Sequence, residues 1–137
     1  MTLYLLDTNI LLELLLDQER ADEVAAFLQK IETSRLYVSD FSLFSTGIHL
    51  FRRGMPHVFA TMLQDLFIDG GVRLARLDPV EMSAVASTAL QASLDFDDAY
   101  QYACAEGMDM TIVSFDSDFD GTALGRSTPS QVMARET

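Results

Sequence analysis

Short runs of apolar residues alternate along the chain with longer amphipathic segments. The apolar runs, which are predicted to be strands buried on both faces, occupy residues 3–6, 36–38, 72–74 and 111–113. Helices are predicted after the first strand and over residues 21–31, 40–53, 58–68, 79–91 and 95–106, where apolar residues recur at helical spacing. Because strands alternate with helices, the pattern predicts a three-layer α/β/α fold with a central parallel sheet of four to five strands.

Capping and turn residues define several of these boundaries. Asp78 followed by Pro79 predicts a helix start, because aspartate caps a helix and proline suits its first turn. Asp95 is predicted to cap the next helix, and Gly107 is predicted to end it. The last stretch of roughly twenty residues carries few such signals, so we expect turns and weak structure there.

The length and composition favour one soluble domain. The 137 residues suffice for one core and are too few for two ordinary domains, so a single domain is predicted over residues 1–137. No apolar run approaches the roughly 20 residues that a membrane span needs. No basic region precedes an apolar segment near the start, so a signal peptide is not suggested. We therefore expect a cytoplasmic protein with no membrane segment.

The net charge limits the kinds of ligand that the protein binds. At pH 7 the formal net charge is −12, which repels a polyanion unless metal ions and local arginines offset it. This argues against a general nucleic-acid binder of high affinity. A metal-dependent enzyme remains compatible with it, since carboxylates that bind a metal themselves add negative charge.

Aspartates lie next to the apolar runs at four places. They are Asp7 after the first strand, Asp40 after the second, Asp95, Asp97 and Asp98 at the start of a helix, and Asp116 and Asp118 after the last strand. Taken alone, each has a structural explanation as a helix cap, a partner of the helix dipole or a turn residue. In an open α/β sheet, however, residues just past parallel strands converge at one edge. Converging carboxylates repel one another unless a cation lies between them, so the set indicates a divalent-metal site that handles phosphates.

Four segments of the chain resemble, in order and spacing, the motifs of the PIN-domain family. They are Leu-Leu-Asp-Thr-Asn-Ile-Leu at 5–11, Val38–Ser39 with the helix that follows, 97–105 around Asp98, and 112–119 around Asp116. The resemblance covers nearly the whole chain, and the chain is about as long as a lone PIN domain of the VapC-like ribonucleases. It implies a PIN-like fold, metal-dependent hydrolysis of RNA phosphodiester bonds and, as for VapC-like toxins, an antitoxin protein as a partner.

The resemblance also assigns roles to individual residues. Four carboxylates are implied as ligands of Mg²⁺ or Mn²⁺, the first three of them catalytic: Asp7, Asp98, Asp116 and Asp118. Thr8 and Asn9 are accessory candidates, because hydrogen bonds from them would orient Asp7 or a water molecule.

The sequence departs from the family pattern at one position. PIN nucleases usually have a glutamate six residues after the serine that opens the second segment, but counting from Ser39 leads to Ser45. A neutral hydroxyl there removes one unit of negative charge, which weakens a second metal and removes a possible base. Asp40, Asp95 and Asp97 are the candidates to compensate. An alternative function is therefore a catalytically weakened PIN-like module that binds a metal, nucleic acid or a protein partner.

The middle of the chain offers two further candidate surfaces. Arg52 and Arg53 are a weak candidate for contact with RNA phosphates, although cations at a helix C-terminus also stabilise the helix dipole. His49 has no second ligand at metal spacing, and we predict a packing or partner contact for it rather than catalysis. The two middle helices carry more apolar residues than one sheet face requires, and either ordinary core or a homodimer or partner surface accounts for them. These residues are Phe41, Phe44, Ile48, Phe51, Phe59, Met62, Leu63 and Leu66.

Overall fold

A four-stranded parallel sheet forms the centre of the molecule, in a computed structural model that describes all 137 residues. The strands are β1 (Leu3–Leu6), β2 (Leu36–Ser39), β3 (Arg73–Ala75) and β4 (Met110–Val113). Their order in the sheet is β3-β2-β1-β4, so β1 lies between β2 and β4. Leu5 pairs with Tyr37 on one side and with Ile112 on the other. This order brings the ends of β1 and β4 together.

Eight α-helices surround the sheet. They are α1 (Thr8–Leu15), α2 (Ala21–Lys30), α3 (Asp40–Arg52), α4 (Pro56–Met62), α5 (Pro79–Met82), α6 (Val85–Ala92), α7 (Phe96–Met108) and α8 (Pro129–Arg135). Short 3₁₀ turns occupy Thr33–Arg35 and Ser117–Phe119, and α4 continues as a π-helix over Leu63–Ile68. The three-layer α/β/α fold predicted from the alternating pattern is confirmed, with four strands. None of the helices has the length and apolar character that crossing a membrane requires.

Successive residues of β1 bury opposite faces of the sheet, which divides the interior into two clusters. Tyr4 and Leu6 pack with α1, α2 and α8, whereas Leu5 packs with α6 and α7. This follows from the period of two in a strand, whose side chains alternate between faces. Because all three side chains are at most 2% exposed, β1 is held firmly from both layers. Its carboxyl end is therefore a rigid place for a functional group.

The C-terminal segment differs from the prediction of weak structure. Residues Pro129–Arg135 form α8, which packs against α2 and buries Val132 completely. The helix begins with a capping box, in which the Thr128 hydroxyl accepts from Gln131 N at 3.2 Å and the Gln131 side chain accepts from Thr128 N at 2.9 Å. The prediction was wrong because this signal, Thr-Pro-Ser-Gln, precedes only one buried apolar residue and gives no long amphipathic pattern.

Two predicted helix boundaries also need correction. The helix expected over 79–91 is divided into α5 and α6, and the Ser83 hydroxyl near the break donates to the Val80 carbonyl at 2.6 Å. Serine in such a position competes for backbone hydrogen bonds and weakens a continuous helix. Gly107 does not end α7, which continues to Met108 until Asp109 adopts the left-handed conformation with φ 53°. Aspartate is one of the few residues besides glycine that tolerate this conformation.

Candidate metal centre

Three aspartate side chains meet at the carboxyl ends of β1 and β4. One carboxylate oxygen from each of Asp98, Asp116 and Asp118 lies within 4.8 Å of the other two. Asp98 comes from the first turn of α7, and the other two follow β4. Asp7, directly after β1, lines the same cleft as Asp98 and Asp116, and its charge adds to burial in raising the pKa of Asp98. Three of the four carboxylates predicted as metal ligands thus lie within 4.8 Å of one another, and the fourth, Asp7, lines one cleft with Asp98 and Asp116.

Asp7 is the most constrained of the four. Its side chain caps α1 by accepting from Thr8 N at 2.7 Å, and it also accepts from the Ser114 hydroxyl at 2.7 Å and from Gln101 Nε2 at 3.1 Å. A longer contact of 3.4 Å comes from Asn9 Nδ2. The residue is only 8% exposed, so these donors replace the water that burial removes. Hydrogen bonds of this kind orient a carboxylate toward a metal.

Gln101 connects Asp7 to α3. Besides its bond to Asp7, Gln101 Nε2 donates to the Ser42 hydroxyl oxygen at 2.6 Å, and that oxygen also accepts from Thr8 Oγ1 at 2.9 Å. Gln101 is 1% exposed, and its Oε1 is buried without a hydrogen-bond partner. A buried oxygen without a hydrogen-bond partner lowers the stability of the fold. Its presence beside the carboxylates is typical of a functional site. Sequence reasoning missed this residue, although a glutamine three positions after Asp98 on an otherwise Ala- and Tyr-rich helix was the available signal.

Asn9 and Ser114 fix the loop that carries Asp116. Asn9 Oδ1 accepts from Phe115 N at 3.1 Å, while Asn9 Nδ2 donates to Ser114 Oγ at 3.1 Å. Ser114 Oγ in turn accepts from Asp116 N at 2.9 Å. Asp116 then caps the following 3₁₀ turn by accepting from Asp118 N at 2.9 Å. Asn9 was predicted to orient Asp7 through a hydrogen bond. Its hydrogen bonds also hold the loop after β4 in place.

The electrostatics of the cluster favour a bound cation. Burial, followed by the charges of Asp7, Asp95, Asp116 and Asp118, raises the pKa of Asp98 from 3.8 to about 7. Burial also raises the pKa of Asp7, although hydrogen bonds from Ser114, Gln101 and Thr8 act in the opposite direction. Carboxylates that raise one another's pKa in this way bind protons or a metal more readily than isolated ones. Their oxygen donors suit Mg²⁺ or Mn²⁺, and the residues present thus fit a hard divalent ion.

The raised pKa of Asp98 makes the metal-free protein sensitive to pH. Between the unfolded pKa of about 3.9 and the folded value of about 7, the folded state holds a proton that the unfolded state has lost, so stability falls as pH rises across this window. We therefore expect the Tm in chelator to be lower at pH 7.5 than at pH 5.5. We also expect Asp98→Asn to be more stable than the wild type by an amount that grows over the same interval. Thermal denaturation of both proteins in chelator tests this, and a Tm difference that does not change with pH contradicts it.

The carboxylates line an open cleft of about 230 Å³. Its walls also include polar residues of α1, α3 and α7, and the lining residues are Asp7, Thr8, Asn9, Leu12, Phe41, Ser45, His49, Asp97, Asp98, Gln101 and Asp116. Ser45 thus lies at the site, where the family pattern has a glutamate. His49 also lines this cleft, and the partner contact expected for it stays a prediction. One turn of α3 separates the two residues, so both point to the same side.

Several candidate residues lie elsewhere. Asp40 accepts from the Tyr100 hydroxyl at 2.7 Å and from Phe41 N at 2.9 Å, in a neighbouring groove. Asp95 caps α7 by accepting from Asp98 N at 3.3 Å and is exposed outside the cleft lining. Of the three candidates to compensate for Ser45, only Asp97 lines the cleft.

Arg52 and Arg53 do not line the cleft either. Both are exposed at the end of α3, and Arg53 Nη1 donates to the His49 carbonyl at 3.1 Å. This is the local role that cations have at a helix C-terminus. Contact of these arginines with a nucleic acid stays a prediction.

The fold and the site together define the class of protein. The protein is an α/β protein with a parallel sheet. Its carboxylates lie where the adjacent strands β1 and β4 end, so it has an acidic centre at one edge of the sheet. The family model of the PIN domain matches residues 4–124, and the chain therefore belongs to the PIN-domain family. The resemblance inferred from four short motifs is confirmed.

Solved structures of similar fold come from bacteria and an archaeon. The VapC20 toxin of Mycobacterium tuberculosis, described as cleaving the sarcin-ricin loop, is 16% identical and has a TM-score of 0.75, with 88% of this chain and 95% of that chain covered. PAE2754 from Pyrobaculum aerophilum is 17% identical with a TM-score of 0.70, covering 98% and 88%. A toxin–antitoxin complex from Klebsiella pneumoniae contains a chain 16% identical with a TM-score of 0.73, covering 92% and 97%. A comparison with curated proteins found none that matches in sequence.

Proposed function

We propose that this chain is a Mg²⁺- or Mn²⁺-dependent ribonuclease that hydrolyses RNA phosphodiester bonds, and that it is the toxin of a toxin–antitoxin pair. The observation that carries the proposal is the approach of the Asp98, Asp116 and Asp118 oxygens to within 4.8 Å beside buried Asp7. Membership of the PIN-domain family supports it, as does the fold shared with a toxin that is described as cleaving the sarcin-ricin loop.

The four aspartates have distinct parts in this proposal. Asp7, Asp98 and Asp116 hold the metal, and Asp118 completes the acidic side of the site. When bound, a divalent cation supplies charge that polarises a phosphate and promotes the ionisation of water. Gln101, Ser114 and Thr8 keep Asp7 in one orientation, so the site needs little rearrangement when it binds its ligands.

The proposal extends to the whole chain and its partners. Residues 1–137 form a single PIN-like domain that acts in the cytoplasm. The net charge of −12 suits a basic antitoxin, since complementary charge steers association. An exposed apolar stripe on α3, formed by Phe44, Ile48 and Phe51, supports a homodimer, because exposed patches of this kind mark interaction surfaces.

The proposed activity has a direct test in the metal requirement. Purified protein incubated with structured and unstructured RNAs is expected to cleave in Mn²⁺ or Mg²⁺ and to stop in chelator. Restoring Mn²⁺ in excess over the chelator is expected to restore cleavage. Cleavage that persists in chelator would contradict a metal-dependent mechanism, and folded protein that cleaves no RNA in either metal would contradict the ribonuclease proposal.

A second function, a PIN-like module without effective catalysis, is favoured by one observation. Ser45 lines the cleft and gives it no carboxylate on the α3 side. Such a module would bind Mn²⁺ or a partner protein through the same pocket without cleaving RNA. Metal binding in the absence of any cleavage would support this alternative.

A further inference from the structure

We propose that His49 is a further catalytic residue, which donates a proton to the ribose oxygen that leaves when the phosphodiester bond breaks. This inference rests on the proposed ribonuclease function and adds a general acid to it. His49 lines the same cleft as Asp7, Asp98 and Asp116, and it belongs to α3, which follows β2, whereas Asp116 follows β4.

The helical spacing of α3 directs His49 into the cleft. Phe41, Ser45 and His49 are four residues apart in turn, and all three line it. Phe44 and Ile48, on another face of the helix, are 65% and 50% exposed. The imidazole is therefore presented to the site by the same face that carries Ser45, and α3 holds it there through contacts with α1 and α4.

His49 is also the only residue lining the cleft whose side chain can carry a positive charge. The charged groups that face it are Asp7 at the end of β1, Asp97 and Asp98 on α7, and Asp116 after β4. On its own helix, Arg53 contacts the His49 backbone carbonyl and lies outside the cleft. Neither ring nitrogen of His49 takes part in a hydrogen bond or an ion pair within the protein. The imidazole is thus free to contact a substrate.

The two sides of the cleft differ in the chemistry that they offer. Because the sheet order is β3-β2-β1-β4, Asp116 and Asp118 lie on the β4 side of Asp7, while α3 leads away from β2 on the other side. In-line displacement at phosphorus places the attacking and leaving oxygens on opposite sides. Carboxylates on the β4 side suit the attacking water, and His49 then faces the leaving oxygen.

The proposed step balances in atoms and charge. The water oxygen forms a bond to phosphorus, and its proton passes to a carboxylate of the cluster. The bond between phosphorus and the ribose oxygen breaks, that oxygen keeps the electron pair, and the proton of the His49 imidazolium moves to it. Exchange of protons with solvent then restores both groups. Histidine suits this part because its imidazole is the side chain most often used for general acid and base catalysis.

The test compares His49→Gln with His57→Gln on two substrates. His57 is the other histidine of the chain and is exposed on α4, outside the cleft, so it provides a matched control. RNA has a poor leaving group that needs a proton, whereas bis(p-nitrophenyl) phosphate releases p-nitrophenolate, which does not. We expect His49→Gln to lower the RNA rate by about 10²-fold, the usual range for a general acid, and to leave the aryl ester rate within about threefold. His57→Gln should behave as the wild type on both substrates.

Two outcomes overturn the assignment of His49. RNA cleavage by His49→Gln at the wild-type rate would exclude a catalytic part, and equal losses on both substrates would indicate a structural or binding role. Tm and Mn²⁺ affinity measured for each variant separate misfolding from loss of the acid. Failure of the proposed function itself is distinguishable, because the wild-type protein would then show no metal-dependent RNA cleavage.

Discussion

Replacing Asp98 by asparagine is expected to remove metal-dependent RNA cleavage almost completely. The carboxylate of Asp98 lies within 4.8 Å of those of Asp116 and Asp118, and burial followed by the charge of Asp7 raises its pKa. Losing it removes a proposed metal ligand, and a loss of about 4 kcal/mol of transition-state stabilisation corresponds to a rate about 10³-fold lower. Initial rates of RNA cleavage at saturating Mn²⁺, measured for the variant and the wild type, test this.

Asp95→Asn provides the matched control for Asp98→Asn. It makes the same change of charge three residues earlier, and asparagine caps a helix as well as aspartate does. Asp95 lies outside the cleft lining, so we expect its variant to retain most of the wild-type rate. Equal losses in the two variants would mean that general negative charge, rather than a ligand at position 98, supports cleavage.

Asp98 also illustrates how a functional group opposes stability. Burial, followed by the neighbouring carboxylates, raises its pKa to about 7, so ionised Asp98 destabilises the metal-free fold at neutral pH. The substitution expected to abolish cleavage is therefore the one expected to stabilise the metal-free fold. A mutation in the hydrophobic core would lower stability and activity together, so the opposite changes identify a residue kept for binding.

The sheet and its acidic edge were predictable from the sequence because strong local signals define them. Leu3–Leu6 is an apolar run, and Asp7, which follows it, caps the next helix with its side chain. The strand, the turn and the start of the helix are therefore all indicated by neighbouring residues. Asp116 follows the last strand in the same way. Parallel strands then place both residues at one edge without any knowledge of distances.

Residues that depend on packing between distant segments were harder to predict. Gln101 acquires its role only because α7 lies against both Asp7 and Ser42, which are 94 and 59 residues away in the chain. His49 lies on α3, whose apolar residues are spread around the helix. The periodicity of the sequence therefore does not indicate which of its polar residues borders a cleft. The position of β2 next to β1 in the sheet determines which face of α3 borders the cleft, and this position depends on the whole fold.

Replacing Ser45 by glutamate is expected to raise the affinity for Mn²⁺ by about 10². Ser45 lines the cleft on the side that has no carboxylate, and the longer glutamate side chain extends from there toward the centre. The added carboxylate attracts the cation directly, and a gain of roughly 3 kcal/mol corresponds to an affinity about 10²-fold higher. Titration of Mn²⁺ by calorimetry measures the change.

Ser45→Gln separates charge from size in this experiment, since glutamine has the shape of glutamate without its charge. We expect Ser45→Gln to bind Mn²⁺ as the wild type does, and Ser45→Glu to bind more tightly while its metal-free form melts at a lower temperature. The second effect follows because a further carboxylate adds repulsion that only the cation relieves. If the two variants bind Mn²⁺ equally, position 45 does not reach the metal. In that case the serine does not lower the affinity for the metal, and the four aspartates are the complete set of acidic ligands.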